Sequence, residues 1–197
     1  MKTTKSPAAV VSAIPAGATA HPGLMAPEWA VRAELPVDID QIHELHRTSF
    51  SRPAEAELVD AVRASAGFIP QLSLVAATAD GSVLGHVLIS RVELQRDEVS
   101  TAVLALAPVA VLPAHRDRGI GSTLVAGALA MAEERDEPFV VVLGSPRFFA
   151  RFGFLPAAGF GVTGPYDVPD DVYQIYPQPA TEIPGGRVVY PPSFAGV

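Results

Sequence analysis

One segment of the chain constrains the fold more than any other, because it joins two apolar runs through a glycine loop and a single helix. The first run is VLALAPVAV (103–111) and the second is FVVVL (139–143). Between them, apolar residues recur at helical spacing, at Leu124, Val125, Ala128, Leu129 and Ala132. Strand, helix and strand in this order predict a right-handed crossover between parallel strands.

The residues before this segment predict antiparallel strands. QLSLVAATA (71–79) and SVLGHVLISRVEL (82–94) are rich in β-formers and meet at Asp80-Gly81, a strong hairpin signal. A strand from Trp29 and two helices, one capped by Asp38 and one opening at Pro53, come earlier. The order β-α-α-β-β-β-α-β-α-β therefore predicts an α/β fold with a mixed sheet and helices on both faces.

Composition narrows the possible functions. The formal net charge of −7 argues against nucleic-acid binding, which needs a basic surface. The chain has no cysteine, which excludes disulfides and thiolate nucleophiles. Nothing in it approaches the roughly 20 apolar residues of a membrane span. Residues 1–27 have the Ala/Pro/Thr/Gly composition of a disordered leader, so we expect one domain over 28–197 in a cytoplasmic protein.

The loop HRDRGIGSTL (115–124) has the chemistry of an anion site. Two glycines directly before a helix leave its first N–H groups pointing outward, and Arg116 and Arg118 add positive charge. The sequence of the loop matches neither the P-loop motif nor the dinucleotide-binding fingerprint. The alternative is a tight turn with solvated arginines.

This loop resembles the acetyl-CoA signature of the GNAT superfamily of N-acetyltransferases, Gln/Arg-x-x-Gly-x-Gly/Ala, as Arg116-Asp117-Arg118-Gly119-Ile120-Gly121. FVVVLGSPRFFARFGFLPA (139–157) is similar to a sub-group with Gly-x-Pro and Arg-Phe-Gly-Phe after strand five, and the likeness spans Trp29 to Phe194. It implies a sheet split between strands four and five, with acetyl-CoA as co-substrate in the split. The residues implied to bind it are Val109, Ala110, Val111, Arg116, Asp117, Arg118, Gly119, Ile120, Gly121, Ser122 and Phe149.

The resemblance leaves the acid and the base of the reaction open. Many GNAT enzymes carry a tyrosine four residues before the glycine of the Gly-Phe ending, to protonate the leaving thiolate, but here that residue is Phe149. The acid is then absent, replaced by water, or supplied from elsewhere. Its candidates are Tyr166, Tyr173 and Tyr176, and those for the base are Glu55, Glu57, Glu93 and His86. The three-residue spacing of His43 and His46 could suit a metal, but no third ligand accompanies them and we predict none.

Three functions follow from the resemblance. The first is acetyl transfer to a primary amine, small or peptidic, by direct attack on the thioester. The second is a catalytically weak acetyl-CoA-binding sensor or interaction module, which Phe149 favours. The third is transfer of a longer acyl group, for which Ala105 and Ala107 would leave room. The family implies that residues 38–67 and 156–192 select the acceptor, and a homodimer is a further possibility.

Overall fold

The computed structural model describes residues 28–179 and 181–195, so the predicted leader lies outside the described residues. The strands are β1 (Trp29–Ala33), β2 (Ser73–Thr78), β3 (Val83–Arg96), β4 (Val99–Val111), β5 (Phe139–Leu143), β6 (Leu155–Pro156), β7 (Val162–Thr163), β8 (Tyr173–Pro177) and β9 (Gly186–Val189). The α-helices are α1 (Ile39–Ser49), α2 (Ala54–Arg63), α3 (Ile120–Ala132) and α4 (Pro146–Phe149).

The strands form one mixed sheet in the order β1-β2-β3-β4-β5-β8-β6. Along this order β4 and β5 are parallel and the other neighbours are antiparallel. The strand β9 pairs with the outer half of β3 and with β7. The predicted mixed sheet is therefore confirmed, and α3 is the crossover that makes β4 and β5 parallel.

The sheet opens where Pro108 interrupts β4. Val87 pairs with Val109 and Ile89 with Leu106, so two residues of β4 oppose one of β3 and form a bulge. The pairing of β4 with β5 covers Leu104 to Leu106 and stops there. Beyond the bulge β4 continues to Val111 without pairing to β5, as the family resemblance implied.

The helices cover both faces of the sheet, each with its own apolar cluster. Ile42 and Leu45 of α1 pack with Leu58 and Val62 of α2 on one face. The apolar stripe of α3 packs with Phe149 and Phe154 on the other face. Both clusters are almost fully buried, and burial of each large apolar side chain contributes about 1.5–3 kcal/mol.

Two local features differ from the sequence prediction. Asp38 does not cap α1 with its side chain; its carboxylate accepts the Leu35 N–H at 2.7 Å and pairs with Arg32 at 2.5 Å. Its place in a short 3-10 turn before the helix accounts for this. The strand β4 starts at Val99, four residues earlier than the apolar run, after a turn in which Asp97 has φ 54°. Aspartate tolerates that conformation better than most residues.

Candidate active site

A cleft of about 600 Å³ opens beside the separated end of β4. It lies between that strand, the loop before α3, the end of α1 and the segment around α4. Nine of the residues that the resemblance implied line it, namely Val109, Ala110, Val111, Arg116, Asp117, Gly119, Ile120, Gly121 and Ser122. The chain thus brings strand and loop together at one cleft.

The wall formed by β4 offers unpaired backbone groups. The Leu112 N–H donates to the Leu84 carbonyl at 2.9 Å across the β3–β4 ladder. Because backbone groups alternate along an antiparallel strand, those of Ala110 point toward β3 and those of Val109 and Val111 point away from it. The Val111 carbonyl accordingly accepts hydrogen bonds from outside the sheet. The groups available to a ligand are therefore those of Val109 and the N–H of Val111.

The first turn of α3 forms the floor of the cleft. Gly119 has φ 82°, a left-handed conformation that favours glycine, and no side chain caps the helix. The N–H groups of the first turn have no partner within the helix, and the helix dipole makes this end attractive to anions. A Cβ atom on Gly121 would lie 3.4 Å from Val111 Cγ2 and 3.9 Å from Phe148 Cζ, so this glycine keeps the gap between strand and α4 open.

The two arginines of the loop have different surroundings. Arg116 donates to the Val111 carbonyl at 3.3 Å and to the Ser49 carbonyl at 3.1 Å, which joins the loop to β4 and to the end of α1. Arg118 is exposed and does not line the cleft. Arg151, which sequence reasoning missed, does line it, with its guanidinium carbon 4.8 Å from the centre of the Phe148 ring. Its position depends on the turn after α4.

The structure places Phe149 behind the cleft, with 5% of its surface exposed. Its ring packs 5.4 Å from that of Phe154 and lies so close to Gly144 that a Cβ atom there would be 2.4 Å from Phe149 Cε2. The neighbouring Phe148 lines the cleft instead. The vacant tyrosine position is therefore part of the core on this face.

A second cavity of about 270 Å³ adjoins the first on the side of α2 and the C-terminal segment. Phe50 and Val109 line both cavities, so the two meet at the bulge of β4. Glu55 lines the second cavity and its side chain is 13% exposed. Its Oε2 is buried and has no hydrogen-bond partner among the described residues.

The remaining candidates for the base lie elsewhere. Glu57 is exposed on α2 and lines neither cavity. The Glu93 carboxylate accepts a hydrogen bond from Ser100 at 2.8 Å on the far half of β3. His86 is 0% exposed and belongs to a buried chain of polar groups. Glu55 is thus the carboxylate among these candidates that faces the cavity adjoining the cleft.

The candidate tyrosines for the acid also differ in position: some line the second cavity and others do not. Tyr166 lines the second cavity, and burial raises its pKa. Tyr173 contacts the hydroxyl of Tyr190 at 3.3 Å, and Tyr176 donates to Glu133. Tyr190, which sequence reasoning missed, lines the same cavity, and burial raises its pKa well above the ordinary value. Both cavity phenols therefore keep their proton at neutral pH.

The two histidines of α1 do not face a common site. His43 Nδ1 lies 2.7 Å from an Asp60 carboxylate oxygen, whereas His46 Nε2 lies 2.8 Å from His86 Nδ1 inside the core. In the part of the chain that the structure covers, no group of three potential ligands could hold a metal ion. No helix in that part is both long and apolar enough to cross a bilayer.

Known proteins match both the sequence and the fold. Residues 31–157 match the family described as acetyltransferase (GNAT) domain. The chain is 34% identical over 146 residues to the "uncharacterized N-acetyltransferase YhbS" of Escherichia coli strain K12, covering 74% of this chain and 85% of the relative. It is 31% identical over 135 residues to YjhQ of the same strain, also named an uncharacterized N-acetyltransferase, covering 68% and 74%.

Two solved structures are similar as well. The YhbS structure from Escherichia coli in complex with CoA has a TM-score of 0.80 at 30% identity and covers 88% of this chain and 96% of that one. A GNAT family acetyltransferase from Brucella melitensis in complex with acetyl-CoA has a TM-score of 0.69 at 30% identity, covering 84% and 97%. Together with the split sheet and its glycine loop, these matches show that the chain belongs to the GNAT family of acyl-CoA-dependent N-acetyltransferases.

Proposed function

We propose that the chain transfers the acetyl group of acetyl-CoA to a primary amine, with the co-substrate in the 600 Å³ cleft and the amine in the 270 Å³ cavity. The observation that carries this proposal is that the two cavities meet at Phe50 and Val109. A thioester at that junction would be open to an amine from the other side. The CoA and acetyl-CoA complexes of the two similar structures support the choice of co-substrate.

The residues of the cleft fit the parts of acetyl-CoA. The first-turn N–H groups of α3 and the loop 116–122 would hold the pyrophosphate, because unpaired amides and a helix N-terminus bind anions. The carbonyl of Val109 and the N–H of Val111 would pair with the amides of the pantetheine arm. Arg151 extends the positive charge along the rim, and Arg116 acts by holding the wall in place. The bound co-substrate supplies an activated acetyl thioester.

Groups that line the second cavity could act in the transfer. The amine must lose a proton to attack, and Glu55 would accept it, because its Oε2 is buried without a partner in the described structure. The N–H of Val109 would stabilise the negative charge on the thioester oxygen. The new C–N bond forms as the C–S bond breaks, the nitrogen releases its excess proton, and the departing thiolate takes a proton from water, which leaves an N-substituted acetamide and CoA.

Substitution of Glu55 tests this proposal. Glu55→Gln keeps the shape of the side chain and removes its basicity, so we expect kcat/KM to fall by about 10²–10⁴ while affinity for acetyl-CoA is unchanged. Glu57→Gln is the matched control, because Glu57 lies two residues further along α2 and is exposed; this variant should retain activity. The measurement is CoA release with a panel of primary amines. Equal activity of the two variants would contradict the assignment of the base.

The weak acetyl-CoA-binding module remains the second candidate function, because Phe149 leaves no phenol at the usual acid position. It predicts a thermal shift with acetyl-CoA and no transfer to any amine.

Transfer of a longer acyl group is a third candidate, since Ala107 lines the second cavity whereas Ala105 is buried in the core. A homodimer and a cytoplasmic location stay predictions, which light scattering and cell fractionation would test.

A further inference from the structure

The lining of the second cavity is strongly apolar, and this indicates the kind of substrate that the cavity suits. Its lining includes Leu143 of β5, residues 106–109 of β4, and the aromatic residues Tyr190 and Phe194. Those two rings lie 4.9 Å apart. At about 270 Å³ the cavity is at the small end of ligand sites, which run from about 300 to 1,000 Å³. It therefore suits a small apolar group.

Two charged residues, Glu55 and Arg52, line this cavity. Arg52 is 57% exposed, and its Nε lies 3.6 Å from Glu55 Oε1, beyond a good hydrogen bond. It belongs to the rim, whereas Glu55 is 13% exposed. The cavity thus presents one inward carboxylate, which can meet one amine. A second cationic group on the ligand would find no second carboxylate in this cavity, only apolar walls, neutral phenols and the like charge of Arg52, and an unpaired buried charge is costly.

We propose that the acceptor is a primary monoamine carried on an apolar alkyl or arylalkyl body, with its nitrogen at Glu55 and its body against Leu143, Tyr190 and Phe194. This inference rests on the proposed function, since it names the substrate class of the same site. The aromatic rings contribute apolar contact for the body and a favourable face for the ammonium group before its proton is lost.

A matched pair of amines tests the inference on the full-length protein. Hexylamine and 1,6-diaminohexane have the same length and differ in one terminal ammonium. We expect kcat/KM for hexylamine and for 2-phenylethylamine to exceed that for the diamine by at least about tenfold. Equal or better use of the diamine, or of a lysine-containing tripeptide, would overturn the proposal. It would point instead to the neighbouring cavity, which Asp167 and Asp170 line and which shares Tyr166.

A pair of variants tests the location of the body. Leu143 is 45% exposed and lines the cavity, so Leu143→Glu adds a second carboxylate without disturbing the core. It should raise the ratio of diamine to monoamine turnover by about tenfold. Leu155→Glu, at a residue that is 47% exposed and lies off this cavity, is the control and should leave the ratio unchanged. A ratio that does not change in Leu143→Glu would refute the placement.

Failure of this inference can be told apart from failure of the proposed function. If the protein binds acetyl-CoA but acetylates none of these amines, both fail together. If it acetylates the diamine or the peptide as well as hexylamine, the acetyltransferase activity stands and only the monoamine preference is overturned.

Discussion

Mild acid should destabilise the fold, because two imidazoles are buried in their neutral form. Ser73 donates to Glu34, so His86 Nε2–H must donate to Ser73 Oγ at 2.9 Å, and His86 Nδ1 then accepts from His46 Nε2 at 2.8 Å. Both imidazoles are 0% exposed. Burial and the neighbouring His86 lower the pKa of His46 to about 2, and burial also lowers the pKa of His86.

The size of the effect follows from proton linkage. In the unfolded chain an imidazole has a pKa of about 6.5, so as the pH falls the unfolded state binds protons that folded His46 does not. The stabilisation is complete above pH 6.5 and is lost progressively below it, toward the folded pKa of about 2. Between pH 7 and 5.5, His46 alone should cost about 1.3 kcal/mol, and His86 adds to that loss.

The buried carboxylate of Glu34 does not contribute to the loss of stability in this pH range. Desolvation by burial would raise the pKa of Glu34, but hydrogen bonds from Arg63 and Ser73 and the nearby His86 side chain lower it to about 2. Its stabilising effect is present above the unfolded pKa of about 4.3 and is lost only as the pH falls further. Loss of stability between pH 7 and 5.5 is therefore attributable to the buried histidines.

The assay is urea unfolding of wild type and His46→Gln at pH 7 and at pH 5.5. Glutamine keeps a hydrogen-bond donor for His86 Nδ1 but does not titrate. We expect the free energy of unfolding of wild type to fall by at least about 1.3 kcal/mol, and that of His46→Gln to fall by about 1.3 kcal/mol less. Equal losses in the two proteins would refute the idea that His46 is held neutral.

Two further predictions concern the cleft and the leader. Gly121→Ala should fold normally, since its Cβ meets ordinary contacts, but weaken acetyl-CoA binding by at least about tenfold; Gly127→Ala, in the same helix but facing Leu74 and Val31 rather than the cleft, should not. In a thermal-shift titration at 100-fold excess over Kd, the control should gain about 2.7 kcal/mol, and an equal gain in Gly121→Ala would exclude the site. Deletion of residues 2–27 should change neither the melting temperature nor this affinity, and a large drop in either would place the leader on the domain.

Local backbone chemistry determines several features of the fold. Asp80-Gly81 joins β2 to β3 as predicted, because only a few residues accept the conformation of so tight a turn. Pro108 lies at the bulge because proline cannot donate to a ladder. Gly153 ends the turn after α4 in a left-handed conformation. Each of these features needs no knowledge of distant residues.

The acceptor side could not be located in the same way, because it depends on packing between distant segments. Glu55 and Glu57 are equivalent in sequence, and the rotation of α2 against the sheet decides which one faces the cavity. Tyr190 reaches that cavity only because β9 extends the outer half of β3. Arg116 was expected to face solvent or phosphate; its side chain is exposed and is also held by the carbonyls of Val111 and Ser49, which the sequence did not indicate.

The position of Phe149 shows how counting along a helix can go astray. The residue was identified four positions before Gly153, but the segment changes from α-helix to a 3-10 turn at Ala150. Over four residues an α-helix turns by about 400° and a 3-10 helix by about 480°, so the side-chain direction shifts by about 80°. This difference accounts for a core position at Phe149 and a cleft position at Phe148.

Two tyrosine substitutions test that account. Phe149→Tyr would bury a hydroxyl in a packed core, so we expect it to cost about 1–3 kcal/mol of stability and to change kcat by less than about tenfold. Phe148→Tyr places the hydroxyl at the open cleft and should change stability by no more than about 0.5 kcal/mol. Urea unfolding and steady-state CoA release measure both quantities. A fully stable Phe149→Tyr with a hundredfold gain in kcat would show that residue 149 faces the reacting atoms, and that the helical phase argued here is wrong.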